Sequence, residues 1–342
     1  RQAQKWLCPD FGKVPSSRRA SVPFICKPGP APEPDDFRLT QAADAERLAK
    51  AYGNRFRFVP ETGEWLVWDG SIWQPGAKAE MVDLTISSLR DLERRAHSLP
   101  VQMQLPVLRH VQRAERMSNI NEILKLTAMR SAVRVHKEAL DADAYLLACP
   151  NGVIDLRTGR LMKAHPRLLM TKRVPVDYVE GARLPAWDRF VSEVTGGDEE
   201  VAGFLQRFLG YGLAGTSRED KFVICIGHGG SGKTTLLESV RSAVGDYGVT
   251  IDFSTFLAGR NPGAIRSDIA RLAGARLAIS TEGNPHDVID LALLKKLTGR
   301  DRIAARPLYH EEFEFMPMFT LVLSTNHLPY LDPLDTGIWR RC

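Results

Sequence analysis

Phe222-Val-Ile-Cys-Ile226, then Gly227-His-Gly-Gly-Ser-Gly-Lys233-Thr234, then Thr235-Leu-Leu-Glu-Ser-Val240: this succession decides the fold. A short apolar run suits a strand buried on both faces of a parallel sheet. The apolar spacing after Thr234 suits a helix. Strand, glycine-rich loop and helix form the context in which Gly-x-x-x-x-Gly-Lys-Thr cradles phosphate. The glycines let backbone N–H groups turn inward around phosphate oxygens, and the helix N-terminus adds partial positive charge. Gly227, Gly229, Gly230, Ser231, Gly232, Lys233, Thr234 and Thr235 are therefore expected to bind ATP. Lys233 would reach the β and γ phosphates, and the Thr234 hydroxyl a Mg²⁺ ion.

Downstream, two further apolar runs read as strands that end on polar groups. Arg276-Leu-Ala-Ile-Ser280 leads to Thr281-Glu282. An acid there suits Mg²⁺ coordination or activation of the attacking water, which makes Glu282 the expected catalytic base and a metal ligand. Phe319-Thr-Leu-Val-Leu-Ser324 leads to Thr325-Asn326, whose amide can orient that water or sense the γ-phosphate. Gly337-Ile-Trp-Arg340-Arg341 sets two guanidiniums side by side. Each has a plain alternative: an exposed loop acid, an Asn capping a turn before Pro329, and a surface basic pair.

Upstream, Pro28-Gly-Pro-Ala-Pro-Glu-Pro34 cannot enter a helix or sheet interior, so residues 1–37 read as a tail or linker. Thr40 to Tyr52 has helical spacing and is stopped by Gly53. Arg55–Val59, Glu64–Trp68 and Ile72-Trp73 read as a meander turning at Glu61-Thr-Gly63 and Asp69-Gly70. Its tryptophans, Trp65, Trp68 and Trp73, could stack on bases, but the core of a small domain explains them better. Residues 79–140 look helical, which would give Arg109, Arg113 and Arg116 one face and Arg130, Arg134 and Lys137 another. Either stripe is a solvated face or a set of phosphate contacts. Asn151 to Leu161 reads as a hairpin turning at Thr158-Gly159. Helical segments follow from Ala186 to Leu213, with Trp187, Phe190, Val194, Phe204, Phe208 and Leu209 as the apolar stripe.

Taken in order, these elements resemble superfamily 3 helicases, of the phage, plasmid and poxvirus primase-helicase type. Gly227–Thr235, Leu277–Glu282, Leu294–Leu308, Phe319–Pro329 and Asp335–Arg341 carry the likeness. Ala45-Glu-Arg-Leu, Trp65–Trp73 and Asn151–Leu156 resemble the domain that precedes that core. The resemblance implies an α/β architecture: a P-loop, AAA+-like ATPase core with a parallel sheet over 181–342, C-terminally truncated, preceded by a smaller α+β domain over 38–180. It implies a homo-oligomeric ring, usually hexameric, that hydrolyses ATP between subunits and moves on single-stranded or forked DNA. Arg340 or Arg341 would then reach a neighbour's site. Arg302–Leu308 and Phe313–Met316 would form a hairpin in the channel, with Lys295, Arg306 and His310 as contacts to the DNA backbone. Phosphate contacts suit a sliding motor because they carry no sequence information. Thr281 departs from the pattern where many relatives have a second acid, and Arg300 where they often have glycine.

Composition narrows the field. Hydrophobic residues make up 44% and charged residues 25%, ordinary for a globular protein. No apolar run is long enough for a transmembrane helix. Five scattered cysteines without a Cys-x-x-Cys fit a reducing compartment, and a bacterial host's cytoplasm is the expected location. The net charge is +5, and residues 86–138, with ten basic and five acidic residues, hold an excess of the same size. Such an imbalance speaks to partners such as nucleic acid. The start at Arg1 and the stop at Cys342 read as those of a fragment. No cluster of carboxylates for primase chemistry is evident; if the full protein is a primase, that domain is expected upstream of Arg1. A P-loop kinase of a small molecule and a non-catalytic DNA-binding or assembly module are the competing readings.

Overall fold

The structure is a computed structural model that describes residues 37–259, 266–284, 287–308 and 311–342. The Pro-rich tail expected over 1–37 lies almost wholly outside the described residues. Leu39–Cys342 pack as one compact unit, across the boundary drawn at 180.

Helix α1 (Gln41–Tyr52) starts where the Thr40 hydroxyl accepts the Ala43 N–H at 3.2 Å. Strands β1 (Phe56–Val59), β2 (Glu64–Trp68) and β3 (Trp73–Pro75) form the expected antiparallel meander. Asp69 holds the second turn: one carboxylate oxygen accepts from the Ser71 N–H, the Ile72 N–H and the Ser71 hydroxyl. Trp65 and Trp73 are buried, and the Trp73 indole N–H donates to the Pro166 carbonyl at 2.9 Å. These rings are core, not a base-stacking platform. Helices α2 (Lys78–Ala96), α3 (Val101–Ala114) and α4 (Met117–Ala128) pack together beside the meander.

The helical reading of 79–140 needs correction at its end. After α4, Val133 and Val135 run extended beside β1, with Phe58 N–H donating to the Val133 carbonyl and Val135 N–H to the Phe58 carbonyl. Both valines are buried, and β-branched side chains favour that conformation. Arg130, Arg134 and Lys137 therefore share no helix face. Arg116 also falls outside α3, in an extended residue just before α4.

Strands β4 (Leu146–Cys149), β5 (Gly152–Asp155) and β6 (Arg160–Met162) make a second antiparallel sheet. Helices α5 (Pro185–Val194) and α6 (Glu199–Leu213) then lead to the parallel sheet. It contains β7 (Phe222–Ile226), β8 (Gly248–Ile251), β9 (Leu277–Gly283) and β12 (Thr320–Thr325), in the order β7-β12-β9-β8. Between them lie α7 (Lys233–Val244), α8 (Ser267–Ala270), α9 (Leu291–Thr298) and the antiparallel pair β10 (Ile303–Ala305) and β11 (Phe313–Phe315). Helix α10 (Thr336–Trp339) follows β12. Alternate residues of β12 feed two cores: Leu321 and Leu323 face Phe256, Leu294 and Ile338, while Val322 faces Phe208, Leu237 and Val244.

One buried cation joins the two sheets. Arg276, next to β9, donates to the Leu146 carbonyl of β4 at 2.6 Å and the Leu213 carbonyl of α6 at 2.7 Å. Its guanidinium carbon lies 4.3 Å from the centre of the Tyr247 ring, and the Tyr247 hydroxyl donates to the Lys172 carbonyl at 2.8 Å. Burial lowers the Arg276 pKa, but a guanidinium stays charged. Arg276→Ala would leave two carbonyl oxygens without their charged donor, at a cost of about 2–4 kcal/mol. Urea unfolding should show that loss as a lower midpoint at unchanged slope; a shift below about 0.5 kcal/mol would mean the joint is dispensable.

Candidate nucleotide site

Three strand ends meet. Thr325 of β12 pairs with Ile226 of β7 on one side and Gly283 of β9 on the other, and Ser324 pairs with Glu282. Neighbouring strands lie about 4.8 Å apart, so polar groups at these ends can touch. They do: the Lys233 ammonium donates to Asn326 Oδ1 at 2.9 Å, and Asn326 Nδ2 donates to Glu282 Oε2 at 2.9 Å. Lys233, Asn326 and Glu282, expected from sequence to act together, form one hydrogen-bonded row. Sequence reasoning missed how Glu282 is aimed. From Val322 to Ser324 β12 advances two residues while β9 advances three, so β9 carries a bulge. There the Ser280 hydroxyl accepts the Ser324 N–H at 2.9 Å.

The loop has the form a phosphate cradle needs. Gly230 and Gly232 have φ of 82° and 86°, in the left-handed region that favours glycine. Helix α7 begins at Lys233 without a side-chain cap, which leaves its first N–H groups free for an anion. Among the described residues the Lys233 ammonium otherwise touches neutral oxygens, the carbonyls of Gly227 at 2.5 Å and His228 at 3.3 Å and the Ser231 hydroxyl at 3.4 Å. No carboxylate among the described residues pairs with it, so phosphate oxygens can replace those partners. Thr234 and Thr235 are exposed in the first turn of α7, and the Glu282 carboxylate is exposed on the sheet edge. The residues fit ATP, with the Thr234 hydroxyl and Glu282 as the groups that could hold Mg²⁺.

The remaining candidates lie elsewhere. Phe222 N–H donates to the Arg341 carbonyl at 2.9 Å, and the Lys221 ammonium to the Arg340 carbonyl. The arginine pair therefore sits at the start of β7, about 15 Å of strand away from Gly227 in the same chain. Lys295 pairs with Asp335 at 2.5 Å, and that bond holds the Asp335 carboxyl below its usual range. Arg306 is exposed beyond β10. His310 lies outside the described residues. The hairpin pairs Ile303 with Phe315 and Ala305 with Phe313, yet residues 302–315 hold two arginines against three glutamates. Lys137 lies over the Phe313 ring at 4.6 Å, which ties the hairpin to the α+β part.

Comparison with known proteins agrees with this layout. The family described as D5 N terminal like matches residues 45–196, and a family of unknown function (DUF5906) matches 225–341. A protein of Acanthamoeba polyphaga mimivirus named as a helicase is 29% identical over 59% of this chain and 22% of its own. One of Frog virus 3, also named as a helicase, is 27% identical over 60% and 28%. An African swine fever virus protein named as a primase is 23% identical over 60% and 22%. The chain thus spans roughly a quarter of the length of these relatives. The C-terminal region of NrS-1, in an apo crystal form, has the same fold at a TM-score of 0.50 and 12% identity, over 85% of this chain and 60% of its own. The chain is thus similar to part of proteins of large DNA viruses that are named as helicases or primases. No helix among the described residues is long and apolar enough to cross a membrane.

Two glycines of the loop should respond differently to a methyl group. At Gly232 it would fall 2.5 Å from Val194 Cγ1 at a positive φ, whereas at Gly229 nothing lies within 4 Å. Gly232→Ala should cost about 1–3 kcal/mol, and Gly229→Ala should stay within about 0.5 kcal/mol. Urea midpoints of the two variants check this, and equal values would mean the loop is not held as described.

Proposed function

We propose that this chain is the motor part of a replication helicase. It binds ATP and Mg²⁺ through Gly227–Thr235, hydrolyses ATP between copies arranged in a ring, hexameric by resemblance, and moves along single-stranded or forked DNA. The observation that carries the reading is the row Lys233–Asn326–Glu282 at the ends of three adjacent parallel strands. An ammonium for phosphate, an amide for water and a carboxylate for its proton stand in the order that phosphoryl transfer to water needs. When Lys233 turns to phosphate it releases Asn326 Oδ1, and the amide is free to orient the attacking water toward Glu282. Bound Mg²⁺ would neutralise developing charge on the phosphate oxygens.

The arginine pair supports a shared site. At the far end of β7 it cannot serve its own phosphate loop, but it can serve a neighbour's. Of the DNA candidates, Lys295 reaches phosphate only by giving up Asp335. Arg306, exposed after β10, and His310, which lies between β10 and β11 in the sequence, are the other proposed contacts.

ATP hydrolysis with and without single-stranded DNA tests the reading. Lys233→Ala and Arg341→Ala should each lower stimulated turnover by on the order of 10³-fold, as loss of an arginine finger does. A mixture of the two inactive variants should regain activity, because some interfaces then combine an intact loop with an intact arginine. Turnover that ignores DNA and survives Arg341→Ala would instead fit a monomeric kinase. Lys233-dependent binding without turnover would fit an assembly module.

A further inference from the structure

The phosphate loop has an aromatic flank that the proposed chemistry does not use. Helix α5 carries Trp187, Phe190, Val191 and Val194 at spacings of three and four, so they share one face. Such a face normally goes into a core, yet no residue of α5 is buried, and none belongs to the clusters around the parallel sheet. The stripe instead abuts the loop. A methyl group on Gly232 would lie 2.5 Å from Val194 and 3.6 Å from the Phe190 ring. Trp187 continues the line, its ring 5.7 Å from that of Phe190 and inclined by 40°.

We propose that this stripe seats the purine base of the nucleotide whose phosphates occupy Gly227–Thr235. The inference rests on the nucleotide reading and adds what recognises the base. It follows from continuity. A base is tethered through ribose to the phosphates, so it lands on whatever flanks the loop, and Val194 and Phe190 stand where a side chain on Gly232 would go. From Val194 to Trp187 the helix runs about 10 Å, a span comparable with the ribose and α-phosphate that separate base from cradle. Half-buried aromatic rings gain by stacking on a flat π-face, and stacking tolerates any base while favouring the larger one. The absence of a buried polar side chain on α5 predicts weak discrimination between ATP and GTP, and a clear preference for either over UTP.

Equilibrium binding of ATP, UTP and inorganic tripolyphosphate to the full chain tests this. Trp187→Ala should weaken ATP binding by roughly tenfold, within the range measured for single base–aromatic stacks, and leave tripolyphosphate unchanged. Trp187→Phe should restore most of the loss, and Lys233→Ala should weaken all three ligands. Equal affinity of the unaltered chain for ATP and UTP would overturn the proposal without recourse to any variant. So would a Trp187→Ala variant that binds ATP as before, or that loses tripolyphosphate equally. Tripolyphosphate binding indifferent to Lys233→Ala would instead strike down the nucleotide reading beneath it.

Discussion

Because β12 is hydrogen-bonded on both sides and buries all six of its residues, it cannot slide without breaking two ladders together. A slip of one residue would exchange its faces and send Val322 into the core made for Leu321 and Leu323. That constraint decides where Asn326 stands. As the first residue beyond the strand it has Lys233 on one side and Glu282 on the other. The bulge in β9 completes the placement, since one extra residue resets which way the end of that strand faces. The reactive groups thus owe their positions to apolar side chains and backbone bonds several residues away.

The second constraint is the Arg276 joint. A guanidinium removed from water is unfavourable unless its donors are used. Here carbonyls from β4 and α6 take two of them, and the Tyr247 ring covers the face. Because those carbonyls belong to different layers, the bonds fix β4 and α6 relative to β9, the strand that carries Glu282. Tyr247 reinforces the arrangement from the other side by packing with Leu147 and Cys149. The α+β part is therefore built into the foundations of the parallel sheet.

Much of this was legible in the sequence, for identifiable reasons. The phosphate loop is fixed by residue types with no substitute, glycine for left-handed backbone and lysine for a reaching ammonium. The β10–β11 hairpin and the tryptophan meander were legible because their pairing is local. What escaped was non-local. Arg130, Arg134 and Lys137 have helical spacing, but Val133 and Val135 are claimed by β1, more than seventy residues earlier. The partner that Lys295 finds in Asp335, forty residues on, is likewise invisible from its own neighbours. Strand β8 opens with glycine and has too little alternation to announce itself. Arg276 looked like the first residue of a strand, since nothing in its neighbours marks a cation that will be buried.

The asymmetry of β7 limits how copies can associate. Its C-terminal end leads into the loop for phosphate, and its N-terminal end is paired with the arginines. A contact that carried Arg341 of one copy to Gly227 of another would join two different surfaces, so it would be heterologous. Contacts of that kind close into rings or run on as filaments. The segment between Asn326 and Arg340 would lie in or beside such a contact. It exposes Leu328, Tyr330, Leu334 and Trp339, between 43% and 87% of each, and a neighbour's surface could cover them. Trp339 is held by its indole N–H on the Asp332 carbonyl, and Asp335 caps α10 while pairing with Lys295. A largely apolar segment thus links Asn326, which the proposed function sets toward the chain's own phosphates, to the guanidiniums that would face a neighbour's. If the ring forms as proposed, nucleotide at one site is mechanically connected to the next through this segment, with the Lys295–Asp335 pair as its brace.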